Sequence, residues 1–82
     1  CPDISADAAE MGLVWGRSGW CHVSELRDEA DQLRVVHAHP ALVRELPQPS
    51  VLVQWIVAAR QPAYLQGLRL APAVALALAA AQ

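Results

Sequence analysis

The stretch Val51-Leu52-Val53-Gln54-Trp55-Ile56-Val57-Ala58-Ala59-Arg60 constrains this chain more than any other. Ser50 stands before it, where a hydroxyl can accept from the free N–H groups of a helix start. Pro62 stands after it, and the residue before a proline leaves the helical region. A run of this length between two such marks predicts a helix over 51–60, although Val and Ile are also strand formers. Leu52, Trp55, Ile56 and Ala59 recur at i, i+3, i+4 and i+7, on one face. Val51, Val53, Val57 and Ala58 cover most of the rest. A helix that is apolar nearly all round is expected to be buried, so the reading is a central helix with the chain packed around it.

Charge is spread unevenly about that helix. All eight acids and four of the six arginines lie in residues 1–46, whereas residues 47–82 carry only Arg60 and Arg69. In 47–82, 23 of 36 residues are apolar. The first half reads as a solvated amphipathic cover and the second as core with little polar surface to face water. An 82-residue chain is one domain or a piece of one, with a marginal core. Apolar surface that it cannot hide becomes an interface. A net charge of −2 argues against nucleic acid, which wants a basic face. The lack of Lys, Asn, Thr and Phe suggests a GC-rich genome. The chain begins at Cys1, has one Met at position 11, and stops at Gln82 inside a helical pattern; the expectation is a processed chain or a fragment of a longer one.

Before the central stretch, Asp3 and Ser5 are candidate caps for a helix over about 6–15, weakened by Gly12. Gly16-Arg17-Ser18-Gly19 is a turn by composition. Ser24 is expected to begin a helix over 25–38, with Leu26, Ala30, Leu33 and His37 on the inner face and Val36 beside them. Asp31 lies within reach of Arg27 and Arg34, for ion pairs of about 0.2–0.5 kcal/mol each on an exposed helix. Pro40 ends that helix and suits the first position of a short one over 40–46. After the stiff Pro47-Gln48-Pro49 connector and the central helix, Pro62 opens a short helix over 63–70. Pro72 opens one over 73–82, with Val74 and Leu78 a turn apart and Leu76 to the side. The proline spacings are unequal, so no solenoid repeat is expected.

Few residues carry chemistry. Cys21, His22, His37 and His39 are the soft-metal donors besides Cys1, but their spacing fits no regular zinc pattern. On a helix, His37 and His39 point roughly 200° apart; next to Pro40 they suit a helix C-terminus. A disulfide between Cys1 and Cys21 is permitted by the count, conditional on an oxidising compartment. Ser24 and Ser50 read as caps rather than nucleophiles, and Cys21 and His22 are sequence neighbours that usually diverge. The glycine turn lacks the Lys of a phosphate loop. No catalytic residue, metal or cofactor is therefore expected, and the chain is not read as an enzyme. Apolar runs of at most about a dozen residues fall short of a membrane span.

The expected fold is an all-α bundle of four to five short, proline-punctuated helices around 51–60, in a single domain over 1–82. The expected function is protein–protein interaction, as an adaptor, chaperone or assembly domain, with another protein or with itself. Its contacts would come from Leu65, Leu68, Leu70, Val74, Leu76 and Leu78, with Trp20 as a further anchor. The alternative is a small lipid-anchored bacterial envelope lipoprotein acylated at Cys1.

Overall fold

Leu13-Val14-Trp15 and Trp20-Cys21-His22 flank the Gly16–Gly19 turn, and these strand-forming residues pair as a hairpin. The computed structural model describes residues 11–17 and 19–81 of the chain. Strand β1 (Leu13–Gly16) runs antiparallel to β2 (Gly19–His22), with Val14 opposite Cys21 and Trp15 opposite Trp20. Residues 11–15 of the helix expected over 6–15 are thus turn and strand; the remainder of that expectation, with Asp3 and Ser5, lies outside the described residues. Gly12 takes φ +73°, and a Cβ there would stand 2.5 Å from the His22 ring. Such a left-handed, crowded position requires glycine and ends any helix. The fold is therefore mainly helical with a small two-stranded sheet, not all-α.

A 3-10 turn, Val23–Glu25, leads to helix α1 (Glu29–Ala38). Ser24 does not cap the helix. Its N–H and hydroxyl are engaged by His22 Nδ1, and Asp28 caps α1 instead by accepting from the Ala30 N–H at 2.8 Å. The later start also changes the inner face. Gln32, Val35 and Val36 are buried, Leu33 is half-buried, and Ala30 and His37 are exposed. The Asp31–Arg34 pair forms at 3.4 Å, whereas Arg17 rather than Arg27 occupies the neighbouring carboxylate, Asp28.

Prolines open three of the four later helical pieces at the first turn, as their missing N–H allows, and Ser50 caps the fourth. Pro40–Glu45 and Pro62–Leu65 are 3-10 turns. Helix α3 spans Pro72–Ala80. The piece expected over 63–70 stops at Leu65 and turns at Gly67, φ +78°. Helix α2 spans Val51–Arg60, and the Ser50 hydroxyl accepts from the Val53 N–H at 3.2 Å.

The core holds eight valines and four leucines, drawn from β1, both long helices, the 3-10 turns and α3. Of nine valines in the chain only Val51 is exposed, while none of the three tryptophans is buried. Compact β-branched side chains lose little rotamer freedom on burial. A narrow body of 39 × 21 × 18 Å leaves little interior for an indole.

Two buried glutamines tie this core to its connectors. Gln32 Nε2 donates to the carbonyls of Leu26 (2.9 Å) and Gln48 (3.1 Å), and its Oε1 accepts from the Ser50 N–H (3.0 Å). Gln54 Nε2 donates to the Pro49 carbonyl (3.0 Å), and its Oε1 accepts from the Ala71 N–H (2.8 Å). Each buried amide thus finds all its partners among backbone groups of the connectors.

Candidate functional site

Helix α2 is patterned inside out. Apart from the terminal Arg60, its one polar residue, Gln54, is buried with Val53 and Val57. The opposite side presents Val51, Leu52, Trp55 and Ala59 to solvent, with exposures of 50% for Val51, 47% for Leu52 and 40% for Trp55. At ~100° per residue these four form a continuous stripe about 100° wide, centred near Trp55. The expected core face of Leu52, Trp55, Ile56 and Ala59 is thus overturned: of the four only Ile56 is even half-buried. The physical reason lies in Gln54, whose amide has two backbone partners only on the inner side. Arg60 is turned away from the stripe and donates to the His37 carbonyl at 3.1 Å, satisfying the C-terminal turn of α1.

Helix α3 repeats the pattern. Val74 is buried and Leu78 half-buried against the core, while Leu76 on the far side is 72% exposed. The remaining residues of α3 are Pro72 and alanines, all exposed, so its outer surface carries no charge.

The residues expected to contact a partner therefore divide. Leu65 and Val74 are core residues, and their apolar faces are already covered by this chain. Leu68, Leu70 and Leu78 are half-buried against that core, where they complete it rather than project from it. Leu76 is fully available. Trp20 is half exposed and meets Trp15 edge to face, with ring centroids 5.6 Å apart at 86°. Sequence reasoning missed Val51, Leu52 and Trp55.

Beside Val51 lies a cleft of about 790 Å³. One wall is Leu46 to Val51, containing the two prolines; the other is Leu68 to Ala71; Val43 and Gln54 contribute to the floor. Arg27 and Arg69 both border it, and no acidic residue does. A smaller cleft on the hairpin side is bordered by Cys21, Glu25, Asp28 and Asp31, with Arg17 and Arg27. There burial pushes the Cys21 thiol above its ordinary pKa, and the Glu25 and Asp31 carboxylates add to the effect. A thiol held protonated is a poor nucleophile. Cys21 is free, and Cys1, its expected disulfide partner and the expected acylation site, lies outside the described residues.

Among the described residues no group of three His, Cys, Asp or Glu is placed to hold a metal ion, and no helix is long and apolar enough to cross a membrane. The chain matches no protein-family model, no curated protein and no solved structure.

Proposed function

We propose that this chain is a helical protein–protein interaction module that docks through the outer faces of α2 and α3. The observation that carries the reading is the stripe Val51-Leu52-Trp55-Ala59, exposed on a helix whose glutamine is buried. The stripe sets an indole and three aliphatic side chains in water with no polar residue among them, where a solvated helix face is ordinarily polar. The occupant we assign is a second copy of the chain. The face is uncharged, so a copy of itself meets it without desolvating a charge, and a self-complementary patch closes as a two-fold pair. The alanines of α3 allow close backbone approach.

Magnitudes set how tight this contact is. Completing the burial of Val51, Leu52, Trp55 and Leu76 is worth roughly 1 kcal/mol per side chain on each protomer. Association costs at least about 4 kcal/mol. The surplus is then at most about 4 kcal/mol, a Kd of roughly 1 mM. Sedimentation equilibrium from about 0.1 mM to about 5 mM brackets that value, and average mass should rise across it. Trp55→Glu combined with Leu76→Glu should hold the mass at that of a monomer while the circular dichroism spectrum is unchanged. A parent chain that stays monomeric to the top of the series would sink the reading. So would a double variant that associates as well as the parent.

A further inference from the structure

We propose that the cleft between Pro47–Ser50 and Leu68–Ala71 binds an extended acidic segment of a partner protein, with Arg27 and Arg69 holding its carboxylates. The argument begins with where the arginines are spent. Arg17 pairs with Asp28, and Arg34 bonds the Trp15 carbonyl and Asp31. Arg44 donates to the carbonyls of Tyr64 (3.1 Å) and Gln66 (2.6 Å), and Arg60 to that of His37. Of the six arginines, only Arg27 and Arg69 have no hydrogen bond or ion pair among the described residues. Those two, 42 positions apart in sequence, border one cleft.

The surroundings leave both cations available. Arg27 also borders the acidic neighbouring cleft, but Asp28 there is taken by Arg17 and by the Ala30 N–H, Asp31 by Arg34 and the Arg17 N–H, and Glu25, though unengaged among the described residues, makes no ion pair with Arg27. No acid borders the larger cleft, in a chain with eight of them. A guanidinium offers a planar fork that fits a carboxylate with two hydrogen bonds. Two such forks in a lining that mixes Val, Leu and Pro with Gln48, Ser50 and Gln54 suit a ligand that alternates carboxylates with apolar side chains.

The walls favour an extended backbone. Pro47 and Pro49 supply no N–H, and the Gln48 and Pro49 carbonyls are held by Gln32 and Gln54, so that wall is stiff before any ligand arrives. On the other wall neither Arg69 nor Leu70 makes a backbone hydrogen bond among the described residues, which leaves their groups open to pair with an added strand. The volume lies within the range of about 300–1,000 Å³ usual for ligand sites.

The site adjoins the α2 stripe at Val51, but Arg27 and Arg69 lie outside that stripe, so its test can fail without the self-association test failing. The probe is an array of N-acetylated octapeptides with glutamate at every one or two positions in leucine-, valine- and proline-containing backgrounds, beside a matched array with glutamine. Hits are titrated by fluorescence anisotropy against the parent chain, R27Q, R69Q and R27Q/R69Q. Both arginines are exposed, so the variants should keep the parent's circular dichroism and sedimentation behaviour. Binding of glutamate peptides, about tenfold or more weaker for the glutamine peptides and for R27Q/R69Q, is expected. It should weaken with salt. Glutamate and glutamine arrays that bind alike, or do not bind, would overturn the proposal. Equal binding to R27Q/R69Q would do the same. So would an arginine-dependent response to inorganic phosphate or to anionic vesicles without one to the peptides.

Discussion

Helices α1 and α2 have the same length and nearly the same interior. Each runs ten residues and buries two valines and one glutamine. Each starts at a side-chain cap, Asp28 or Ser50. The glutamines even grip the same connector, Gln32 at Gln48 and Ser50, Gln54 at Pro49. The helices differ on the outside. The outer side of α1 carries Glu29, Ala30 and His37 in water with Asp31 and Arg34 alongside, whereas that of α2 carries Val51, Leu52, Trp55 and Ala59. Since two equivalent interiors hold both helices in place, packing alone does not require the apolar exterior of α2. On the function proposed above, a contact with a second copy supplies the reason.

That comparison can be broken at its shared half first. Gln32→Leu leaves two carbonyls and one N–H without their partner, and should cost on the order of 3 kcal/mol. Gln54→Leu leaves one of each and should cost about 2 kcal/mol. Urea denaturation of both variants checks the order; a stabilised Gln32→Leu would mean that the staples do not hold the helices. The unshared half should respond far less. Leu52→Gln with Trp55→Gln should change the free energy of unfolding by no more than about 1 kcal/mol, in the range of surface substitutions. A loss as large as that of the glutamine variants would return the stripe to the core and remove the contrast between the helices.

The smallest effect expected is at Cys21, between the hairpin and α1. Its folded pKa is raised, so the folded state holds the thiol proton more firmly than the unfolded chain does. That contribution is complete below the ordinary thiol value of about 8.5 and is lost as pH rises through the raised value. Denaturation midpoints taken either side of this range should therefore fall more for the parent than for Cys21→Ser. Parallel curves would show that the thiol is not buried enough to matter.

Legibility followed the locality of the cause. Helix α2 could be read to its last residue because Ser50 and Pro62 act within a turn of its ends, and Pro40, Pro62 and Pro72 marked their pieces for the same reason. The hairpin also had a local signal, a two-residue gap between strand-forming runs with glycines at both sides, but the alanine-rich stretch before it favoured a helix. The inner face of α2 had none. When every side of a helix is apolar, periodicity selects no side, and the choice passed to Gln54 and its distant partner at Ala71. The arginine-bordered cleft was hidden for a related reason: Arg27 and Arg69 come together only once α1 and the segment before α3 are in place.

The connector gripped by both glutamines bears on how the molecule opens. Freeing α1 from the core means releasing Gln48 and Ser50, and freeing α2 means releasing Pro49, within the same short proline-stiffened strip. Neither helix has a private route to local unfolding, so their amides belong to a single cooperative unit that exchanges with solvent together. The hairpin is tied to α1 through Arg34 and the Arg17–Asp31 contact and to the shared core through Val14, so its opening loosens the same unit.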